Sequence, residues 1–123
     1  MSKKRILIID DEPDLVEVLR DGLEAQGYIV TTAGDGEAGL AAARTDSPNA
    51  ILLDIAMPKI DGYEVCRLLK ADPVLGKIPI IMISAKAQAE DIRQGKAAGA
   101  DEYLPKPLQM RGLLKTLAAF ATA

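Results

Sequence analysis

The amino-acid sequence predicts an α/β fold, in which five strands and five helices alternate and the strands form one doubly wound parallel sheet. Short apolar runs recur at residues 6–9, 50–53 and 80–83, as expected of strands that are covered on both faces. Segments in which apolar residues recur at helical spacing lie between these runs. Alternation of the two periods along the chain is typical of βα repeats around a parallel sheet.

Two further strands are predicted at the edges of the sheet. Residues 28–32 and 102–104 form segments that are more polar or shorter than the three apolar runs. Right-handed crossovers, together with three buried central strands, favour the strand order 2-1-3-4-5.

Three helices are predicted from apolar stripes and two from weaker, alanine-rich segments at 37–46 and 89–98. Pro13 suits the first turn of a helix, and Gly27 and Gly99 suit helix C-termini. The stripes consist of Leu15, Val18, Leu19 and Leu23; of Val65, Leu68 and Leu69; and of Met110, Leu113, Leu114, Leu117 and Phe120.

Length and composition limit the number of domains, the possible partners and the kinds of site that the chain can form. A chain of 123 residues fits one domain, so we expect a single domain over residues 1–123 with no output domain. The net charge of -3 opposes a nucleic-acid partner. No apolar run is long enough to be a signal peptide or to enter a membrane, and the single cysteine, Cys66, cannot form an internal disulfide, so we expect a cytoplasmic protein. The absence of histidine excludes a Ser-His triad or a phosphohistidine within the chain.

The residues that follow the predicted strands carry the chemistry. Asp10 and Asp11 follow the first strand, Asp54 ends the third, Ser84 ends the fourth, and Lys106 follows the fifth. Ligands of open parallel sheets bind at the carboxyl ends of the strands, where the winding direction changes. Since the first and third strands are neighbours in the predicted order, we expect the three aspartates to converge.

The negative charges of converging carboxylates have to be compensated. At about 4 Å, each pair repels by about 4 kcal/mol at an effective dielectric constant near 20. Either one carboxylate is protonated or a hard divalent cation lies among them, and Mg²⁺ is the expected ion. With Lys106 and Ser84 at the same edge, the pocket suits a phosphoryl group that a carboxylate attacks. A dinucleotide site is disfavoured because the loop at residues 10–14 is acidic rather than glycine-rich.

Four motifs in order resemble the receiver domains of bacterial response regulators, the CheY-like family of two-component signal transduction. The resemblance covers the chain from about Lys4 to Leu117. The motifs are the strand and acidic run at residues 6–12, the segment around the third strand at 52–62, Ser84-Ala85, and the block at 98–107.

The resemblance implies a flavodoxin-like fold and a site in which Asp54 accepts a phosphoryl group. The donor would be a phosphohistidine of a cognate histidine kinase or a phosphotransfer protein. Asp11, Asp54 and the backbone carbonyl of Ala56 would bind Mg²⁺ directly, while Asp10 would act mainly through water.

The resemblance also implies a switch. Lys106 would contact the phosphoryl oxygens, and the Lys106-Pro107 peptide bond is expected to be cis. Ser84 would bond a phosphoryl oxygen, after which Tyr103 would turn from an outward to an inward rotamer. This would alter the face made by the fourth helix, fifth strand and fifth helix, which a downstream protein would read. The chain would catalyse only its own phosphorylation and dephosphorylation.

Three alternatives stay open. The chain can be a phosphorylation-independent interaction module, although the full set of site residues argues against that. It can be a phosphatase of the haloacid dehalogenase type, but that chemistry needs a second aspartate at position 56, which holds alanine. It can also be a receiver excised from a larger regulator.

Overall fold

The structure is a computed structural model that describes residues 3–120. Within this range five strands alternate with five α-helices. No helix among these residues has the length and apolar character needed to cross a membrane. The elements are β1 (Arg5–Ile9), α1 (Pro13–Ala25), β2 (Ile29–Ala33), α2 (Gly36–Asp46), β3 (Ala50–Asp54), α3 (Gly62–Ala71), a 3-10 turn (Leu75–Lys77), β4 (Ile80–Ser84), α4 (Ala89–Ala98), β5 (Glu102–Pro105) and α5 (Met110–Phe120).

The five strands form one parallel sheet in the order β2-β1-β3-β4-β5. This confirms the predicted fold class and strand order. β1, β3 and β4 are the central strands, and each is apolar along almost its whole length because helices cover both faces of the sheet.

Alternate side chains of each central strand enter two separate core layers. Ile9 and Leu53 contribute to the layer covered by α2, α3 and α4. Ile8 and Leu52, one residue earlier in each strand, contribute to the layer covered by α1 and α5. The period of two along a strand therefore fixes which helices each residue meets.

The predicted helix ends are confirmed. Pro13 occupies the first turn of α1, and Gly27 follows that helix with a φ of 93°. Gly99 ends α4 with a φ of 111°. A positive φ is accessible to glycine because it has no Cβ, so both positions suit a helix end.

For two residues of the apolar stripes, the prediction that they face the core was wrong. The side chain of Val18 on α1 is 62% exposed and that of Leu68 on α3 is 45% exposed. Each lies on the flank of its stripe, one position before a buried leucine, where the sheet no longer covers the helix. Val16 and Cys66 pack into the core instead. All five residues of the stripe on α5 are confirmed as core-facing.

Candidate functional site

Two aspartates lie side by side at the carboxyl end of the sheet. β1 and β3 pair with Ile9 opposite Leu53, so the next residues in the chain, Asp10 and Asp54, are neighbours. Asp10 is 2% exposed and Asp54 is 3% exposed. The register of two adjacent parallel strands thus places two carboxylates in an almost fully buried position, as the sequence predicted.

Ser84 and Lys106 reach the same edge from β4 and β5. Ser84 pairs with Pro105 across the two strands, and its carbonyl accepts a hydrogen bond of 2.8 Å from the backbone N–H of Lys106. The Lys106-Pro107 peptide bond is cis, as expected. Ser84 is buried at this edge of the sheet.

The Lys106 ammonium group faces three carboxylates. Its Nζ lies 3.2 Å from Asp10 Oδ2, 3.5 Å from Asp54 Oδ1 and 2.5 Å from Glu12 Oε1. If all four groups are ionised, one positive charge meets three negative charges. The site therefore has an excess of negative charge that it does not neutralise with its own side chains.

Burial and the neighbouring charges shift the protonation equilibria of these groups. Burial, followed by the negative charge of Asp10, raises the pKa of Asp54 to about 6 in spite of the attraction of Lys106. Burial also raises the pKa of Asp10. Burial opposes the charged form of Lys106, but Glu12 and the two aspartates outweigh it and raise the pKa of the lysine. The lysine therefore stays charged, whereas the buried carboxylates are destabilised in their ionised form.

The cluster has the donors of a hard-cation site. Asp10, Glu12 and Asp54 each place one carboxylate oxygen within 4.8 Å of the others. Asp10 Oδ2 is buried and is paired with Lys106 Nζ, an ammonium group that also faces Asp54 and Glu12. Carboxylate oxygens in this number and an uncompensated negative charge fit Mg²⁺, which prefers oxygen ligands.

Glu12 is the site residue that the sequence did not single out. Its backbone N–H donates a hydrogen bond of 2.9 Å to Asp10 Oδ1, which folds the β1–α1 loop back over the site. Asp11 lies in the same loop with an exposed side chain and is not a member of the carboxylate cluster. The ligand role expected of Asp11 therefore stays a prediction. The acidic run at residues 10–12 was the available signal for Glu12, but it does not tell which members turn inward.

The loop after Asp54 is held against the start of α3. A Cβ at Gly62 would lie 2.3 Å from the Asp54 carbonyl oxygen, so only glycine fits there. The N–H of Gly62 donates to the Ile55 carbonyl at 2.9 Å. Ala56 is exposed in this loop, and the metal-binding role expected of its carbonyl stays a prediction.

Tyr103 is in the inward orientation, where it is 6% exposed. Its hydroxyl donates a hydrogen bond to the Lys86 carbonyl, and the Lys86 N–H donates to Ser84 Oγ at 3.0 Å. The ring and the serine are thus joined through one short loop. The outward orientation of Tyr103 that the resemblance implies stays a prediction.

Known proteins are similar to this chain in sequence. The family model of the response regulator receiver domain matches residues 6–118. Over 108 residues the chain is 44% identical to the alkaline phosphatase synthesis transcriptional regulatory protein PhoP of Bacillus subtilis, a match that covers 88% of this chain and 44% of that protein. The chain spans about half the length of the curated relatives it matches.

Solved structures share the fold. The chemotaxis protein CheY4 of Vibrio cholerae matches with a TM-score of 0.92 and 31% identity, over 97% of this chain and 99% of that one. The receiver domain of the sensor histidine kinase PA1611 from Pseudomonas aeruginosa PAO1 matches with a TM-score of 0.91 and 30% identity, over 99% and 100% of the two chains. That structure contains a magnesium ion coordinated in the active site cleft. Because the family model matches almost the whole of this chain, the chain belongs to the family of response regulator receiver domains.

Proposed function

We propose that the chain is a phosphoacceptor switch, in which Mg²⁺-dependent transfer of a phosphoryl group to Asp54 changes the face formed by α4, β5 and α5. The observation that carries the proposal is the buried carboxylate of Asp54 with the Lys106 ammonium group 3.5 Å away. A buried nucleophile beside a fixed cation is what transfer of a negatively charged group requires.

The proposed reaction uses the side chains as follows. An oxygen of the ionised Asp54 attacks phosphorus, the P–N bond of the donor phosphohistidine breaks, and its electron pair returns to the imidazole. With a pKa of about 6, Asp54 is mostly ionised at neutral pH and can act as the nucleophile. Lys106 neutralises charge on the phosphoryl oxygens from one side.

The donors for the metal come from the acidic loop and the end of β3. The residues that would hold it are Asp10, Asp11, Asp54 and the Ala56 carbonyl, and the position of Glu12 in the carboxylate cluster adds it to the candidates. When bound, Mg²⁺ would supply positive charge to the oxygens of the transferred group. The three carboxylates around the single ammonium group of Lys106 support a further cation at this place.

Ser84 and Tyr103 would connect the reaction to the output face. The Ser84 hydroxyl is buried at the site, and Lys86 links it to the inward Tyr103 on β5. A new bond from Ser84 to the phosphoryl group would bias the equilibrium between two orientations of the ring rather than create a new fold.

The proposed partners are a cognate histidine kinase or phosphotransfer protein and a downstream protein. The proposed location of these interactions is the cytoplasm. We propose no nucleic-acid partner for these residues, because their net charge is negative. We propose no catalysis beyond phosphorylation and dephosphorylation of the chain itself. That no output domain accompanies the receiver stays a prediction, because the curated relatives are about twice as long.

Intact mass spectrometry tests the phosphoacceptor directly. The protein is incubated with Mg²⁺ and acetyl phosphate, in parallel with Asp54→Ala and Asp61→Asn. Asp61 is the matched control because its carboxylate caps α3 through Glu64 outside the site, a task that asparagine also performs. We expect one base-labile phosphoryl group on the wild type and on Asp61→Asn, and none on Asp54→Ala or in EDTA. A folded wild type that gains no phosphoryl group would favour the phosphorylation-independent module instead.

A further inference from the structure

Gly95 is a buried glycine within α4, on the side of the helix that packs against the sheet. Ile92 and Ala98, which precede and follow it on the same side of the helix, contact the same core layer. Glycine is less favourable than alanine inside a helix, because it loses more backbone freedom on folding. Helix formation alone would therefore favour alanine here, so the reason for a glycine lies in the contacts that α4 makes with its neighbours.

The neighbours of Gly95 are the side chains of Met82 and Tyr103, which lie opposite each other on β4 and β5. A Cβ at Gly95 would lie 2.8 Å from Cδ2 and 3.1 Å from Cε2 of Tyr103, and 2.9 Å from Sδ of Met82. The methionine is a flexible chain that can rotate away, whereas the tyrosine ring is rigid and moves as a whole. A methyl group at position 95 and the inward ring therefore cannot occupy the same place.

The inward ring of Tyr103 is also held at its hydroxyl. The hydroxyl donates a hydrogen bond to the Lys86 carbonyl, and the side chain is buried. A shift of the ring away from α4 would pull the hydroxyl from this carbonyl, so a Cβ at position 95 opposes the inward orientation as a whole. In the outward orientation the ring leaves the notch at Gly95, and a methyl group there would meet no ring.

We propose that Gly95 is a positioning residue of the switch, whose missing side chain forms the notch that lets Tyr103 take the inward orientation. The proposal rests on the proposed function, in which Tyr103 moves between two orientations and the phosphoryl group favours the inward one. The notch is present without a phosphoryl group, so it makes the inward orientation available to the unmodified chain. A Cβ at position 95 would shift the same equilibrium outward and so weaken every ligand that requires the inward ring.

The first test compares Gly95→Ala with Gly112→Ala in the unmodified protein. Gly112 is the matched control, because it also lies within a helix and a Cβ there would have nothing within 4 Å. Protein labelled with 3-fluorotyrosine has three fluorine signals, since the chain contains three tyrosines, and Tyr103→Phe identifies the signal of Tyr103 by its loss. The difference in each signal between H₂O and D₂O reports how far the ring is exposed to solvent. We expect this difference to at least about double for Tyr103 in Gly95→Ala and to stay unchanged in Gly112→Ala.

The second test measures binding of beryllofluoride, a phosphoryl mimic, in the presence of Mg²⁺ by the amide signals of the site. We expect the affinity to fall roughly fivefold or more in Gly95→Ala and to stay within about twofold in Gly112→Ala. The same substitution is then made in the Tyr103→Ala background, where no ring needs the notch. There Gly95→Ala should change the affinity by less than about twofold, which separates exclusion of the ring from a general disturbance of α4.

Three results would overturn the proposal. The first is a Tyr103 signal that stays protected from solvent in Gly95→Ala. The second is an affinity that Gly95→Ala leaves unchanged or lowers equally in both backgrounds. The third is a Gly95→Ala protein that does not fold, because the ring would then have no second orientation to take. Phosphoryl uptake from acetyl phosphate, measured by mass, keeps the two hypotheses apart, since a wild type without uptake defeats the proposed function whereas exclusion of the ring is still measured in the unmodified protein.

Discussion

The two ends of the sheet differ in how the charges of their side chains are balanced. At the amino end, Lys70 donates hydrogen bonds to the carbonyls of Gly76 and Ile78 and to Asp101, at 3.3, 3.0 and 2.9 Å. Asp101 also accepts from the Ile80 N–H at 2.8 Å. One cation meets one carboxylate there, and both are further hydrogen-bonded to the backbone.

At the carboxyl end one cation meets three carboxylates. Lys106 Nζ lies within 3.5 Å of Asp10, Glu12 and Asp54, so its single positive charge is shared among them. Burying unbalanced charge lowers stability, so the arrangement is not explained by folding. The amino end therefore holds the elements together, whereas the carboxyl end keeps an excess of negative charge that a reaction can use.

Replacing the lysine at each end should separate the two roles most clearly. We expect Lys106→Met to lower the rate of phosphorylation by acetyl phosphate by roughly 100-fold or more, because it removes the cation that is proposed to neutralise the phosphoryl oxygens. Lys70→Met should leave this rate within about twofold while destabilising the fold by roughly 1–2 kcal/mol, since several hydrogen bonds are lost. Time-resolved mass spectrometry gives the rates, and urea denaturation gives the free energies of unfolding. A large loss of rate in Lys70→Met would contradict the conclusion that the amino end has only a structural role.

Neutralising Asp54, the proposed phosphoacceptor, should stabilise the metal-free protein. In the folded state the pKa of Asp54 is about 6, above its ordinary value of 3.8, so the folded protein binds more protons between these values and loses stability as pH rises through about 6. In EDTA we expect Asp54→Asn to be more stable than the wild type by roughly 1–3 kcal/mol at pH 7, and the gain should vanish below about pH 4. Urea denaturation across this pH range measures the difference.

Asp101→Asn is the control from the amino end. Because Asp101 pairs with Lys70 and accepts the Ile80 N–H, this variant should be less stable than the wild type at pH 7. If Asp54→Asn were also destabilised in EDTA, the excess of negative charge would not be the property that distinguishes the carboxyl end.

The ranking of the two acidic loop residues should sharpen the description of the metal site. The resemblance assigns Asp11 to the metal, while the structure places Glu12 in the carboxylate cluster, where it also pairs with Lys106. We expect Asp11→Asn to weaken Mg²⁺ binding about tenfold, or about 1.4 kcal/mol, and Glu12→Gln to weaken it less. Titration calorimetry with Mg²⁺ measures both. The reverse ranking would make Glu12 the ligand and Asp11 a surface residue.

The sequence by itself determined the architecture and the meeting of the main site residues. Strand and helix periods, with glycine and proline at the helix ends, were enough for five βα units in the observed order. Once the first and third strands are neighbours, Asp10 and Asp54 must meet, because parallel strands end at the same edge. The positions of Ser84 and Lys106 at that edge follow for the same reason.

Only the tertiary structure decided the contacts that depend on loop paths and side-chain directions. Glu12, rather than Asp11, turns toward Lys106 because the β1–α1 loop folds back through the hydrogen bond to Asp10. Val18 is exposed because the sheet covers only part of each helix. The contact of Tyr63 with the first turn of α4 joins residues 28 positions apart. Periodicity tells which face of an element is apolar, but the choice of neighbour across space is made by packing of the whole chain.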